Sequence, residues 1–208
     1  MMQYNLDKAI DLLERPAYVQ VLLCVASGKD YATSIARFLK KKQPTVTEQL
    51  QELKNAGLIR ELERGKYKRF KVNWDLLLKV FYDTVNQLLD LRKNFIIDVD
   101  VEWAEKLRKA KLERVVPPEL VKSFLTEYFS FSVDFGGKAK GFDEIIFSFF
   151  SAINHLDRRY WKLLVSKFEI DEESLAALAD MMEFEIYGPE MSALTMLLES
   201  GSGGEKSG

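Results

Sequence analysis

With 208 residues, 47% hydrophobic and 30% charged, the chain is long enough for one large domain or two small ones with real cores. Thirty Lys and Arg against 32 Asp and Glu leave a net charge of -2, which excludes a uniformly basic, histone-like or ribosomal surface and confines any nucleic-acid surface to a local patch. One cysteine, Cys24, and one histidine, His155, exclude a disulfide scaffold and do not supply the ligand clusters of structural zinc or iron–sulfur sites, so no metal and no cofactor is expected.

The opening residues Met1-Met2-Gln3-Tyr4 lack a basic segment followed by an apolar one, and no apolar run approaches about 18 residues. A cytoplasmic protein without membrane contact is the expectation. Charge divides along the chain: residues through Leu78 carry 14 basic and 9 acidic side chains, and those from Lys79 onward carry 16 and 23. Positive charge concentrates between Lys29 and Val72, with 12 basic and 5 acidic residues.

From Ala17 to Ser27, Tyr18, Val19, Leu22, Leu23 and Ala26 recur at helical spacing, and Gly28 stands where a C-terminal cap belongs. A buried helix follows from that pattern. Tyr31 to Leu39 places Ile35, Ala36 and Leu39 on one face and ends in the cationic run Lys40-Lys41-Lys42. The next helix is predicted over Gln43 to Ala56, with Pro44 in its first turn and Gly57 as its cap. Val46, Leu50, Leu53 and Gly57 form a narrow inward stripe, which turns Gln43, Thr45, Thr47, Glu48, Gln51 and Glu52 elsewhere. Leu58–Leu62 and Lys66–Val72 flank Glu63-Arg64-Gly65 as an antiparallel hairpin, with Phe70 and Val72 on one face and Tyr67, Arg69 and Lys71 on the other.

Helix, helix, short turn, helix and a basic hairpin is the order of a winged helix-turn-helix. Over roughly Arg15 to Val72 the chain resembles the MarR- and ArsR-like transcriptional regulators, particularly the archaeal ones. The resemblance is carried by Ile35-Ala36-Arg37, Gln43-Pro44-Thr45-Val46-Thr47, Leu53, Gly57-Leu58-Ile59 and Gly65-Lys66-Tyr67-Lys68. It implies that Gln43 to Ala56 is a recognition helix for a double-stranded DNA major groove and Arg64 to Arg69 the wing beside it. Gln43, Pro44, Thr45, Thr47, Glu48 and Gln51 would then face base edges. Lys40, Lys41, Lys42, Arg64, Lys66, Lys68 and Arg69 would neutralise phosphates.

Three positions depart from the family pattern. Glu48 and Gln49 stand where such helices often carry basic or histidine side chains, so Glu48 either accepts from a cytosine amino group or marks a helix that docks on protein. Lys42 replaces the usual Ser or Thr at the helix start and removes a side-chain cap typically worth about 1 kcal/mol. Some ArsR-like relatives sense metals through thiol clusters, which a lone Cys24 does not provide.

Trp74 to Asn94 reads as an amphipathic helix of about five turns, with Leu77, Val80, Phe81, Val85, Leu88 and Leu89 on its stripe. By the resemblance this helix, alone or with Trp103 to Leu112, forms a homodimer seam through Leu77, Phe81, Val85 and Leu88, setting two recognition helices about 34 Å apart. The proline pair Pro117-Pro118 marks a boundary, after which helices are predicted over Pro117–Phe131, Phe142–Lys167, Glu172–Phe184 and Pro189–Glu199.

The expected fold class is mainly α with a small β-hairpin wing. A winged domain over 1–73 is followed by connecting and dimerisation helices over 74–115, a helical C-terminal domain over 116–199 and a flexible tail over 200–208. Fourteen of 25 aromatic residues fall between Val116 and Ser200, which suits an apolar small-molecule effector pocket and equally an ordinary helical core. Asp143-Glu144 and Asp171-Glu172-Glu173 sit at predicted helix starts, where acids complement the helix dipole. Gly136-Gly137-Lys138 lacks the spacing of a phosphate-binding loop, and no catalytic machinery is identifiable. The function expected is sequence-specific DNA binding in transcription regulation, with a winged protein-interaction module as the alternative and no enzymatic activity.

Overall fold

The computed structural model describes residues 6–64, 67–95, 112–134, 139–179 and 182. Four helices open the chain: α1 (Leu6–Leu13), α2 (Pro16–Ala26), α3 (Ala32–Phe38) and α4 (Gln43–Asn55). The antiparallel strands β1 (Ile59–Arg64) and β2 (Tyr67–Val72) follow, and then the long helix α5 (Trp74–Phe95). Beyond it come α6 (Leu112–Val115), α7 (Pro118–Asp134), α8 (Phe142–Asn154), α9 (Arg158–Phe168) and α10 (172–179). The architecture is the expected one, helical with a single hairpin among the described residues.

The first helices end in a repeated way. In α2 and α4 the chain closes with a Schellman motif: Lys29 N donates to Cys24 O and Gly28 N to Val25 O, while Leu58 N donates to Leu53 O and Gly57 N to Lys54 O. Gly28 and Gly57 adopt φ of 90° and 85°, where a residue without Cβ is unstrained. α3 closes identically, with Lys41 N on Ala36 O and Lys40 N on Arg37 O. There the left-handed position, at φ 53°, is occupied by Lys40.

Three differences from the sequence reading have physical causes. α1 was not expected, but Ala9, Leu12 and Leu13 are fully buried at helical spacing and cover the outside of α2. β1 runs on to Arg64, paired with Tyr67, because the ladder continues through Glu63 opposite Lys68 and leaves two residues between the strands. The helix predicted over Phe142–Lys167 is two: the first stops at Asn154, and Asp157 starts the second by accepting from Arg159 N at 2.7 Å. The predicted helices Trp103–Leu112, apart from Leu112 itself, and Pro189–Glu199 lie outside the described residues, as does the 200–208 tail.

The apolar faces join in one contiguous core running from Leu12, Leu22 and Ile35 through Leu50, Leu53 and Leu77 to Phe149, Phe150 and Leu178. α7 lies against α2, and α5 packs on both α7 and α8. Phe81 meets Phe149 edge-on at 5.9 Å between ring centroids, Phe149 meets Phe150 at 5.0 Å, and Phe124 meets Phe149 at 4.8 Å. The Tyr82 hydroxyl donates to Val116 O at 2.7 Å, tying α5 to the segment before α7.

The residues expected on a dimer seam lie within this packing. Leu77, Phe81 and Val85 are 0%, 1% and 0% exposed, and Leu88 is half-buried against the same core. Phe81 packs on Phe149 and Phe150 of α8, so the fully buried part of the α5 stripe, Leu77, Phe81 and Val85, is occupied within the single chain.

Candidate nucleic-acid interface

α4 is held by its inward stripe. Val46, Leu50 and Leu53 are buried against α2 and α3, together with Gln49, which sequence spacing alone did not place inside. Gln43, Pro44, Thr45, Thr47, Glu48 and Gln51 are all exposed. All but Thr45, together with half-buried Glu52, line one open, shallow concavity on the outer face of the helix.

Several side chains on this face are already oriented. Thr47 donates its hydroxyl to Gln43 O at 2.9 Å, which leaves its methyl as the unengaged group. Gln51 Nε2 donates to Asn55 Oδ1 at 2.9 Å. Glu52 accepts from the Tyr18 hydroxyl of α2 at 2.8 Å. Burial, and then this bond to a carboxylate, raise the Tyr18 pKa. Glu48 is thus the outward carboxylate of the row, and Glu52 is a strut between α2 and α4.

At the start of α4, Lys42 occupies the cap position and makes no side-chain capping bond, as expected from its residue type. Lys40 and Lys42 are exposed. Lys41 differs: its ammonium donates to Gln20 Oε1 at 3.3 Å and is half-buried, and that burial lowers its pKa. Of the three lysines, it is the one turned toward the protein.

The hairpin's cations are accompanied by acids. Lys68 lies 3.2 Å from Glu61, which also accepts from Lys54 at the end of α4. Arg69 lies 3.4 Å from Asp30 and over the Tyr31 ring, and Arg60 lies 3.5 Å from Asp75. Hydrogen bonds from Lys54 and then Lys68 hold the Glu61 carboxyl below the usual carboxylate range. The Lys66 site and the Arg64 side chain lie outside the described residues.

Asn73 anchors the hairpin to α4. Its buried side chain donates to Gly57 O at 2.7 Å and accepts from Arg60 at 2.7 Å, while its backbone N–H donates to Leu58 O at 2.8 Å. On the opposite edge, Phe70 N donates to Asp30 O at 2.8 Å, so β2 is also tied to the α2–α3 connection. Sequence reasoning missed Tyr18, Asp30, Lys54, Glu61 and Asn73. For Asn73 a signal existed, an Asn directly before a helix, but it marks a cap and not a bond reaching back 16 residues.

A packed three-helix unit, an outward polar face on its third helix and a two-stranded hairpin bonded to the end of that helix define a winged helix-turn-helix. Residues 15–61 match the profile of the family described as bacterial regulatory protein, arsR family. No curated protein and no solved structure matches the chain. The matched segment is similar to the helix-turn-helix of that family, a likeness that supports a DNA-binding transcription regulator. Among the described residues no helix is long and apolar enough to cross a membrane.

Proposed function

We propose that the chain is a sequence-specific, cytoplasmic regulator that seats α4 in the major groove of double-stranded DNA. The observation that carries this reading is the division of labour on α4. Its apolar stripe is consumed by the core, while Gln43, Thr45, Thr47, Glu48 and Gln51 project outward from a rigid mount. A helix fits the major groove, where glutamine amides pair with adenine edges, a threonine methyl touches a thymine methyl and Glu48 accepts from a cytosine amino group.

Lys40 and Lys42 flank the helix start and grip phosphate, assisted on the wing by Arg64, Lys66 and Arg69. Lys41, facing Gln20, is a weaker participant. Two copies bind as a homodimer across successive half-sites, with contacts other than Leu77, Phe81 and Val85.

Selection of duplexes from a randomised pool, followed by fluorescence-anisotropy titration of the full chain, tests the reading. A selected duplex bound at least about a thousandfold tighter than random duplex is expected. No preference at moderate salt refutes sequence-specific binding. Glu48→Ala should relax preference for cytosine at one position and cost about 1–3 kcal/mol there, with little effect elsewhere.

A further inference from the structure

Glu61 occupies an unusual place for an acid in a basic hairpin. It stands opposite Phe70 in the ladder, so it shares the inward-facing side of the hairpin with Phe70 and with Lys68 two residues before it. Its side chain is only 16% exposed. From that position it meets Lys54 of α4 on one side and Lys68 of β2, at 3.2 Å, on the other. One carboxylate therefore serves two ammoniums, one from the reading helix and one from the wing. Lys68 is the more available of the two, 73% exposed against 36% for Lys54.

We propose that Glu61 is an electrostatic brake on sequence-independent DNA binding: by pairing with Lys68 while anchored through Lys54, it withholds one wing cation from the phosphate backbone. This rests on the DNA-binding reading above and goes beyond it by assigning an acid the task of limiting affinity. An unpaired ammonium at the tip side of a wing attracts any duplex equally, because phosphates carry no base information. A regulator must release random sequence, and each phosphate contact steepens the dependence of log K on log salt by about 0.9. Glu61 reduces that attraction where it is least selective. It leaves the polar row of α4, on a different element, untouched.

The test is a salt series, about 50 to about 300 mM, with the full chain titrated against random and selected duplexes. Glu61→Gln keeps the shape and an acceptor for Lys54 but removes the charge that holds Lys68. The salt slope should steepen by about 0.9 on both duplexes, with binding at the lowest salt tighter on the order of tenfold and the ratio between duplexes unchanged. Lys68→Gln alone should leave the wild-type slope in place, and Glu61→Gln combined with Lys68→Gln should abolish the increment.

An unchanged slope in Glu61→Gln overturns the assignment. So does an increment that survives without Lys68, since it would then report bulk charge and not this pair. Circular dichroism and melting of each variant confirm folding, and Lys68→Gln, at an exposed site, carries the test should Glu61→Gln be unstable: a slope that falls by about 0.9 in that single variant means Lys68 was never withheld. Wild-type protein that binds no duplex refutes the DNA-binding reading itself, whereas wild-type binding with unaltered variants refutes the role of Glu61 alone.

Discussion

Lys40 separates stability from function in a single side chain. It holds the left-handed position that ends α3, at φ 53°, where α2 and α4 use glycine. That conformation costs a residue with a Cβ roughly 1–2 kcal/mol, and glycine returns roughly 0.5–1 kcal/mol of the gain as extra entropy in the unfolded chain. Lys40→Gly should therefore stabilise the fold by about 0.5–1 kcal/mol, raising the melting temperature by about 1–4 °C for a chain of this size. The same change removes an exposed ammonium beside the start of α4. If Lys40 grips phosphate, the salt slope should fall by about 0.9, so that between about 50 and about 200 mM salt the variant loses roughly 3.5-fold less affinity than the wild type. Differential scanning calorimetry reads the first effect and anisotropy titration the second. Lys40→Ala serves as the control, losing the charge without relieving the backbone. A lower melting temperature for Lys40→Gly would refute the strain argument, and an unchanged slope would refute the phosphate contact.

Asn73→Ala removes one buried bond to Gly57 O and one to the Arg60 guanidinium, and should cost about 2–3 kcal/mol in urea denaturation. Its duplex preference should weaken as well, because the wing loses its tie to the end of α4. The Cys24 thiol is fully buried and pushed up to about 12 by that burial, so native protein should resist thiol-specific reagents near pH 8 and label fully only after denaturation. Acid sensitivity should carry a Glu61 component. Its folded pKa is lowered, so its contribution is fully present above the ordinary glutamate value of about 4.3 and is lost as pH falls through the lowered folded value. Glu61→Gln should flatten that acid limb of the stability curve, measured by urea denaturation at stepped pH.

The winged unit was legible in the sequence because its signals are local. Helical spacing of Val46, Leu50 and Leu53, Pro44 at a first turn, glycines at 28 and 57, and alternation through Phe70 and Val72 each act within a few residues, and the structure uses them as written. The outward row of α4 was legible for the same reason, since whatever the apolar stripe does not claim must face out.

What surrounds that row was decided by contacts between segments far apart in the chain. An amphipathic stripe states that Leu77, Phe81 and Val85 will be buried but not by what. A second subunit and the chain's own α7 and α8 satisfy the same pattern, and only the fold brings Phe149 and Phe150 onto Phe81. Charge behaves similarly: composition counts Lys68 and Arg69 as free cations, whereas Glu61 and Asp30 reach them across a ladder and a loop. Local periodicity fixes which face of an element is apolar or charged, because side-chain direction follows backbone geometry over a few residues. The occupant of that face depends on tertiary packing, which no periodicity encodes.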